Sequence, residues 1–167
     1  MHGRADPCML SPNIRVHEVS VMAAYEVLKG AFCISTDSAR LDPEAIIAAL
    51  SQQYWSQGRP RDVITHSLQH SLCFGVYHEQ AQIGLARVIT DYATFAYLCD
   101  VYILDAYRGH GLGKWLIETV TNHPELSGLR RFMLATRDAH GLYAQYGFNP
   151  LQAPDRWMEI YRPYTSS

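Results

Sequence analysis

The sequence predicts an α/β fold of the α+β type, with a mixed, mostly antiparallel sheet at its centre. Three observations carry this. Residues 72–77, 83–89 and 95–104 are consecutive β-rich runs with short polar breaks, the pattern of an antiparallel meander. Stretches with a helical apolar face lie before and after that block. A further strand, 131–135, follows a helix, so the sheet is mixed.

The elements follow in order. Residues 25–28 and 31–36 read as two strands either side of Lys29-Gly30. Asp42-Pro-Glu starts a helix: Asp42 can cap it, and Pro43 suits the first turn, where its missing N–H would be unpaired anyway. Ala45-Ile-Ile-Ala-Ala-Leu supplies that helix's apolar face, and Gly58-Arg-Pro separates it from a second helix over 60–70. After the meander, a helix over 112–122 puts Leu112, Trp115, Leu116 and Thr119 or Val120 on one face, with Lys114 and Glu118 spaced for an exposed ion pair. Strand 131–135, a short helix over 142–146, a turn at Gly147 and closing strands that include 157–161 complete the chain.

A chain of 167 residues, 48% apolar, can bury one good core. The expected organisation is a loose leader over 1–24, broken by Gly3, Pro7 and Pro12, and a single domain over 25–167. Fourteen lysines and arginines stand against sixteen acidic residues, which argues against nucleic-acid and anionic-membrane partners. No apolar stretch approaches the roughly 18 residues needed to cross a bilayer. The first residues lack the charged-then-apolar order of a signal peptide. Cys33, Cys73 and Cys99 sit in apolar runs, and with Cys8 they read as reduced thiols of a cytoplasmic protein.

The most informative segment is Tyr107-Arg-Gly-His-Gly-Leu-Gly-Lys-Trp, between the longest strand and an amphipathic helix. Three alternate glycines let the backbone turn tightly and bring its N–H groups to a bulky anion, and the helix N-terminus adds partial positive charge. That describes a phosphate or pyrophosphate cradle. A dinucleotide fingerprint starting at Gly109 would need glycine where Lys114 stands. A Walker loop would need glycine at Arg108 and serine or threonine at Trp115.

What remains, Arg108, Gly111 and Gly113, resembles the acyl-CoA-binding motif of the GNAT acetyltransferases. Tyr143, four residues before Gly147-Phe148, matches a second feature of that family, and the order of elements agrees from Phe32 to about Arg162. The resemblance implies a central sheet with helices on both faces, and acetyl-CoA as co-substrate without a metal. It places Arg108, Gly109, His110, Gly111, Leu112, Gly113 and Lys114 around the pyrophosphate. It also implies that the strand over 95–104 splays from the next, so that backbone groups of Val101, Tyr102 and Ile103 hold the pantetheine arm. Thr136 stands where the family often has asparagine against the CoA arm, and Ala139 fits the alanine that commonly follows.

Acetyl transfer to an amine needs a neutral amine, a polarised thioester carbonyl and a proton for the departing thiolate. Tyr143 is the candidate acid, since a phenol with a pKa near 10 is a donor at neutral pH. Asp100, alone among carboxylates inside its apolar strand, is the candidate base, with a structural pairing to an arginine as the other reading. Tyr54, Trp55, Tyr97 and Trp157 are candidates for the acceptor pocket, beside Tyr92 and Phe95, because aromatic faces can hold a cationic amine. His66 and His70 lie one helical turn apart, but no third ligand has metal-site spacing. The expected function is transfer of acetyl to a primary amine of a small molecule by direct attack in a ternary complex. The alternative is a non-catalytic acyl-CoA-binding or regulatory module, and a homodimer is a family-based expectation.

Overall fold

The computed structural model describes residues 24–164, so the expected leader lies outside the described residues except for Ala24, and Cys8 lies outside them too. One sheet holds six strands in chain order: β1 (Glu26–Lys29), β2 (Phe32–Ser35), β3 (Leu72–His78), β4 (Ala81–Thr90), β5 (Phe95–Ile103) and β6 (Arg131–Leu134). The first five pair antiparallel, as the meander predicts, and β6 joins β5 in parallel. The polar break between β4 and β5 has a definite task. Asp91 Oδ1 accepts the backbone N–H groups of Ala93, Thr94 and Phe95 at 3.0, 2.8 and 3.0 Å and so fixes the turn.

Among the described residues four α-helices cover the sheet: α1 (Pro43–Ser51), α2 (Arg61–Gln69), α3 (Leu112–Thr121) and the short α4 (His140–Ala144). Asp42 caps α1 as its sequence suggests, accepting from the N–H of Ala45 at 3.0 Å. Alternation along the strands sorts side chains onto two faces. Phe74, Ala86 and Ile103 point to one, where they pack with Trp115, Leu116 and Val120 of α3. Their neighbours Cys73, Leu85 and Tyr102 point to the other, against Ile46 and Leu50 of α1 and Ile64 and Leu68 of α2. The sheet is thus buried on both faces.

Two expectations are corrected. Residues 157–161 form no strand; the segment is exposed, with Met158 at 97% and Ile160 at 83%, and no backbone hydrogen bond joins it to a strand. Lys114 and Glu118 make no ion pair among the described residues, in keeping with how little an exposed pair contributes.

The feature that positions the site is the shortness of β6. Its four residues pair with Phe95 to Leu98 and then stop, while β5 runs on to Ile103. From Cys99 onward β5 has no partner strand on that side among the described residues, so its outward backbone N–H and C=O groups face a cleft.

Candidate active site

The cleft opened by the divergence of β5 and β6 has a volume of about 790 Å³, within the roughly 300–1,000 Å³ usual for small-molecule sites. Its floor is the free side of β5, one wall is the loop into α3, and the opposite wall is the segment from Ala135 to Tyr143. Aromatic residues of the α1–α2 connection close the far end.

The β5 floor is bent where it enters the cleft. Pairing steps from Leu85 opposite Tyr102 to Arg87 opposite Cys99, so Ala86 faces two residues, Asp100 and Val101. This is a β-bulge, which bends and twists its strand. Asp100 takes the left-handed conformation with φ 50°. Such a φ is uncommon outside glycine but less so for Asp and Asn. Its side chain is 2% exposed and fully engaged: Arg59 Nη1 donates to both oxygens at 3.0 and 2.9 Å, and Arg87 Nε donates to Oδ2 at 2.7 Å. Arg59 and Arg87 together thus engage both oxygens of this carboxylate. The structure therefore shows the other reading of Asp100, a structural pairing with arginine: it anchors the buried Arg87 and the half-buried Arg59.

The cradle is built by backbone conformation. Gly109 and Gly111 have φ of 84° and 74°, which L side chains adopt only under strain. A Cβ at Gly109, Gly111 or Gly113 would meet no atom within 4 Å; at the cleft wall that free space is where a bulky anion can approach the backbone. The first intrahelical bond of α3 runs from Trp115 N–H to the Gly111 carbonyl, so the N–H groups of Leu112, Gly113 and Lys114 precede it and remain available. Arg108 spans the corner, with Nε donating to the Ile103 carbonyl at 3.3 Å and Nη2 paired to Asp105 at 2.9 Å. Lys114 also lines the cleft. His110 does not: Nδ1 lies 3.1 Å from the Arg108 carbonyl and the ring turns towards Phe32, because the tight turn directs it to the outer side.

Tyr143 comes from the opposite wall. The chain turns at Gly147, φ 88°, and the Phe148 N–H donates to the Tyr143 carbonyl at 3.3 Å. Phe148 then packs edge-on against Tyr143 at 5.9 Å and Phe132 at 5.4 Å, which explains the Tyr-to-Gly-Phe spacing as a packing requirement. Burial, with smaller contributions from Tyr54 and Asp138, pushes the Tyr143 phenol above its ordinary pKa. It is a protonated donor at neutral pH. Thr136 lines the same wall; its Oγ1 accepts from the Ala139 N–H at 3.0 Å, which leaves its hydroxyl proton and one lone pair for a ligand.

At the far end Tyr54 and Trp55 stand edge-to-face at 4.9 Å, and Tyr97 joins them in the lining. Trp157 is placed elsewhere: its ring lies 4.6 Å from the Arg131 guanidinium, at the start of β6 and outside the cleft. Tyr92 and Phe95 also lie outside it. Three arginines were missed by sequence reasoning: Arg59, Arg87 and Arg137, the last with its guanidinium 3.7 Å from the Tyr54 ring centroid. A signal existed for Arg87, since a charge inside an apolar strand must find a partner, and Asp100 is the matching anomaly in the next strand.

Cys99 also borders the cleft, and burial pushes its thiol up to about 11, far from the thiolate a nucleophile needs. His66 and His70 rings lie 4.4 Å apart on α2, and no group of three potential metal ligands occurs among the described residues.

Comparison with known proteins gives concordant results. The profile of the Acetyltransferase (GNAT) family matches residues 40–148. FG08082 of Gibberella zeae, whose name is that of an acetyltransferase, is 36% identical, with 70% of this chain and 78% of the relative covered. The crystal structure of a protein from Xanthomonas campestris pv. campestris, described as belonging to the GNAT family, superposes with a TM-score of 0.78 at 49% identity, over 81% of this chain and 96% of that one. A GNAT family acetyltransferase from Elizabethkingia anophelis with acetyl-CoA bound shares the fold at 16% identity, with a TM-score of 0.57 over 81% and 92% of the two chains.

Proposed function

This chain belongs to the acetyltransferase (GNAT) family, and from that premise we propose that it moves an acetyl group from acetyl-CoA to a primary amine of a small molecule, by direct attack in a ternary complex. The observation that carries the reading is the convergence, on one cleft, of a free strand edge, an open glycine cradle and a protonated phenol.

Acetyl-CoA bound there would supply the thioester from which the acetyl group leaves. The N–H groups of Leu112, Gly113 and Lys114 would bind the pyrophosphate, helped by the partial positive charge of the α3 N-terminus and by Arg108 and Lys114. The outward groups of Val101 and the N–H of Ile103 would pair with the amides of the pantetheine arm, as a neighbouring strand would, while the backbone groups of Tyr102 face β4. This alignment brings donor and acceptor together and can supply much of the rate. Tyr143 would hold the proton that the departing sulfur takes. The high pKa of Cys99 supports direct attack over a covalent relay on that thiol.

The amine must be neutral to attack. Arg59 and Arg87 against Asp100 leave one net positive charge at the acceptor end, since two guanidinium groups face one carboxylate. A positive field favours the neutral form of an incoming ammonium and so lowers its pKa. The supported route for the amine proton is therefore solvent, without a dedicated carboxylate base. Release of free CoA across a panel of small amines tests the reading. Turnover confined to protein lysines or N-termini would contradict a small-molecule acceptor, and acetyl-CoA binding without turnover of any amine would favour the non-catalytic acyl-CoA module.

A further inference from the structure

Arg59 is more than Asp100 needs. Arg87 already meets that carboxylate, with Nε donating at 2.7 Å, and its Nη1 donates to the Ser71 hydroxyl at 3.0 Å. Arg59 brings a second positive charge to the same carboxylate, so the group is a net cation, although the Arg59 side chain is only 12% exposed. Keeping a surplus charge largely out of water costs free energy unless a counter-ion meets it. Arg59 also leaves one edge unused. It donates to both Asp100 oxygens from Nη1 alone. Among the described residues its Nη2 makes no hydrogen bond, and its Nε is buried without a partner. Nε and Nη2 form the side edge of the guanidinium, whose two parallel N–H groups match two oxygens of a carboxylate or phosphate.

Arg59, Arg87 and Asp100 line the acceptor end of the cleft with Tyr54, Trp55 and Tyr97. Asp138, the other carboxylate of the lining, belongs to the Ala135–Tyr143 wall and has Arg137 as its own partner at 3.8 Å, so it does not cancel the surplus. Asp100 directly precedes Val101, where β5 would hold the pantetheine arm, so an anion at Arg59 would lie close to the thioester. We propose that the acceptor is an amine that also carries an anionic oxygen group, carboxylate or phosphate, and that Arg59 recognises this group. The proposal rests on the reading of the protein as an N-acetyltransferase of small molecules and narrows the acceptor class. The anion fills the side edge of Arg59 and balances the surplus charge, and the amine of the same molecule reaches the acetyl group. The same positive field disfavours polycationic acceptors such as polyamines.

The test compares acceptors matched in all but the anion: α-, β- and γ-amino carboxylates each against its carboxamide, and O-phosphoethanolamine against ethanolamine. Binding to the full chain in excess CoA, which has no acetyl group to transfer, is read by calorimetry and does not depend on turnover; CoA release from acetyl-CoA is followed separately. The anionic member of at least one pair should bind about 10- to 100-fold more tightly, the usual gain from hydrogen bonds to a charged group. The pair that shows it tells carboxylate from phosphate. Arg59→Gln should remove the preference, and it leaves Arg87 paired one to one with Asp100, so the fold should hold. Arg59→Lys, which keeps the charge and loses the side edge, should remove most of it. Equal or undetectable binding within every pair of the wild type would overturn the proposal, and so would a preference that survives Arg59→Gln. Anion preference without turnover of any amine would support the Arg59 site and contradict acetyl transfer.

Discussion

Asp100 sits at a bulge with φ 50°, its carboxylate shared by Arg59 and Arg87. Removing the negative charge leaves two guanidinium groups, 12% and 9% exposed, without their counter-ion. Breaking a buried pair in this way costs about 3–5 kcal/mol, so Asp100→Asn should lower the melting temperature markedly. Its residual activity should not recover at high pH. A variant of normal stability whose rate is rescued at alkaline pH would restore Asp100 as a base. Tyr143 should behave oppositely. Tyr143→Phe keeps the ring against Phe148 and removes only the donor, so acetyl-CoA affinity and stability should hold while kcat falls about 10- to 1000-fold, within reach of general-acid catalysis. Because burial raises the phenol's pKa, it stays protonated past the ordinary value, and the wild-type kcat should not decline through loss of this proton until pH exceeds about 10. Normal turnover by the Phe variant would assign thiolate protonation to solvent.

His123 gives a stability prediction. It is 4% exposed, packed edge-on to Phe74 and Tyr25, and burial lowers its pKa below 6.5, with Glu125 opposing. The folded state therefore favours the neutral ring. Above the unfolded pKa of about 6.5 the folded and unfolded states are both neutral and this costs nothing; as pH falls below it, the unfolded chain takes up a proton that the folded chain resists, and stability declines until the folded pKa is passed. Thermal melts from pH 7.5 to 5 should show that decline, reduced in His123→Phe. An equal slope in both proteins would remove His123 as the cause.

At the scale of elements, the glycine loop separates two effects. Gly111 has φ 74°, so Gly111→Val should lose stability by backbone strain as well as affinity. Gly113 lies in the first turn of α3 without a positive φ, and a Cβ there meets no atom within 4 Å. Gly113→Ala should leave the fold as stable or up to about 1 kcal/mol more stable, while calorimetry should show weaker acetyl-CoA binding because the methyl enters the cleft. Unchanged affinity would mean that the ligand does not approach this backbone. Much at this scale was legible in the chain, because cradle, caps and meander are written in residues close together. The Asp42 cap, the Asp91 turn and the α3 face need only local chemistry. The cleft was not legible from patterning, because it arises where a four-residue strand ends beside a nine-residue one. Pairing length is set by partners distant in sequence. Residues 157–161 failed for a related reason: alternation shows that a segment can pair and does not say with what.

For the whole molecule, the two cores on either face make the sheet a rigid support, and the divergence of β5 from β6 turns its middle into a site. The glycine loop, the Asp100 bulge and Tyr143 belong to three separate elements and meet only because of that divergence. The family resemblance connected the glycine loop and Tyr143 in advance, while composition and periodicity alone did not, and the Asp100 bulge was outside its reach. Arg59 escaped because an ion pair across the fold carries no periodic signature, whereas Arg87 left the signal of a charge inside an apolar strand. The proposed activity depends most on acetyl-CoA occupying this cleft, and calorimetric titration of the full chain with acetyl-CoA tests it most directly. One molecule should bind per chain with a dissociation constant on the order of micromolar to sub-millimolar, weakened by Gly113→Ala and unaltered by Tyr143→Phe; absence of binding at millimolar acetyl-CoA would contradict it.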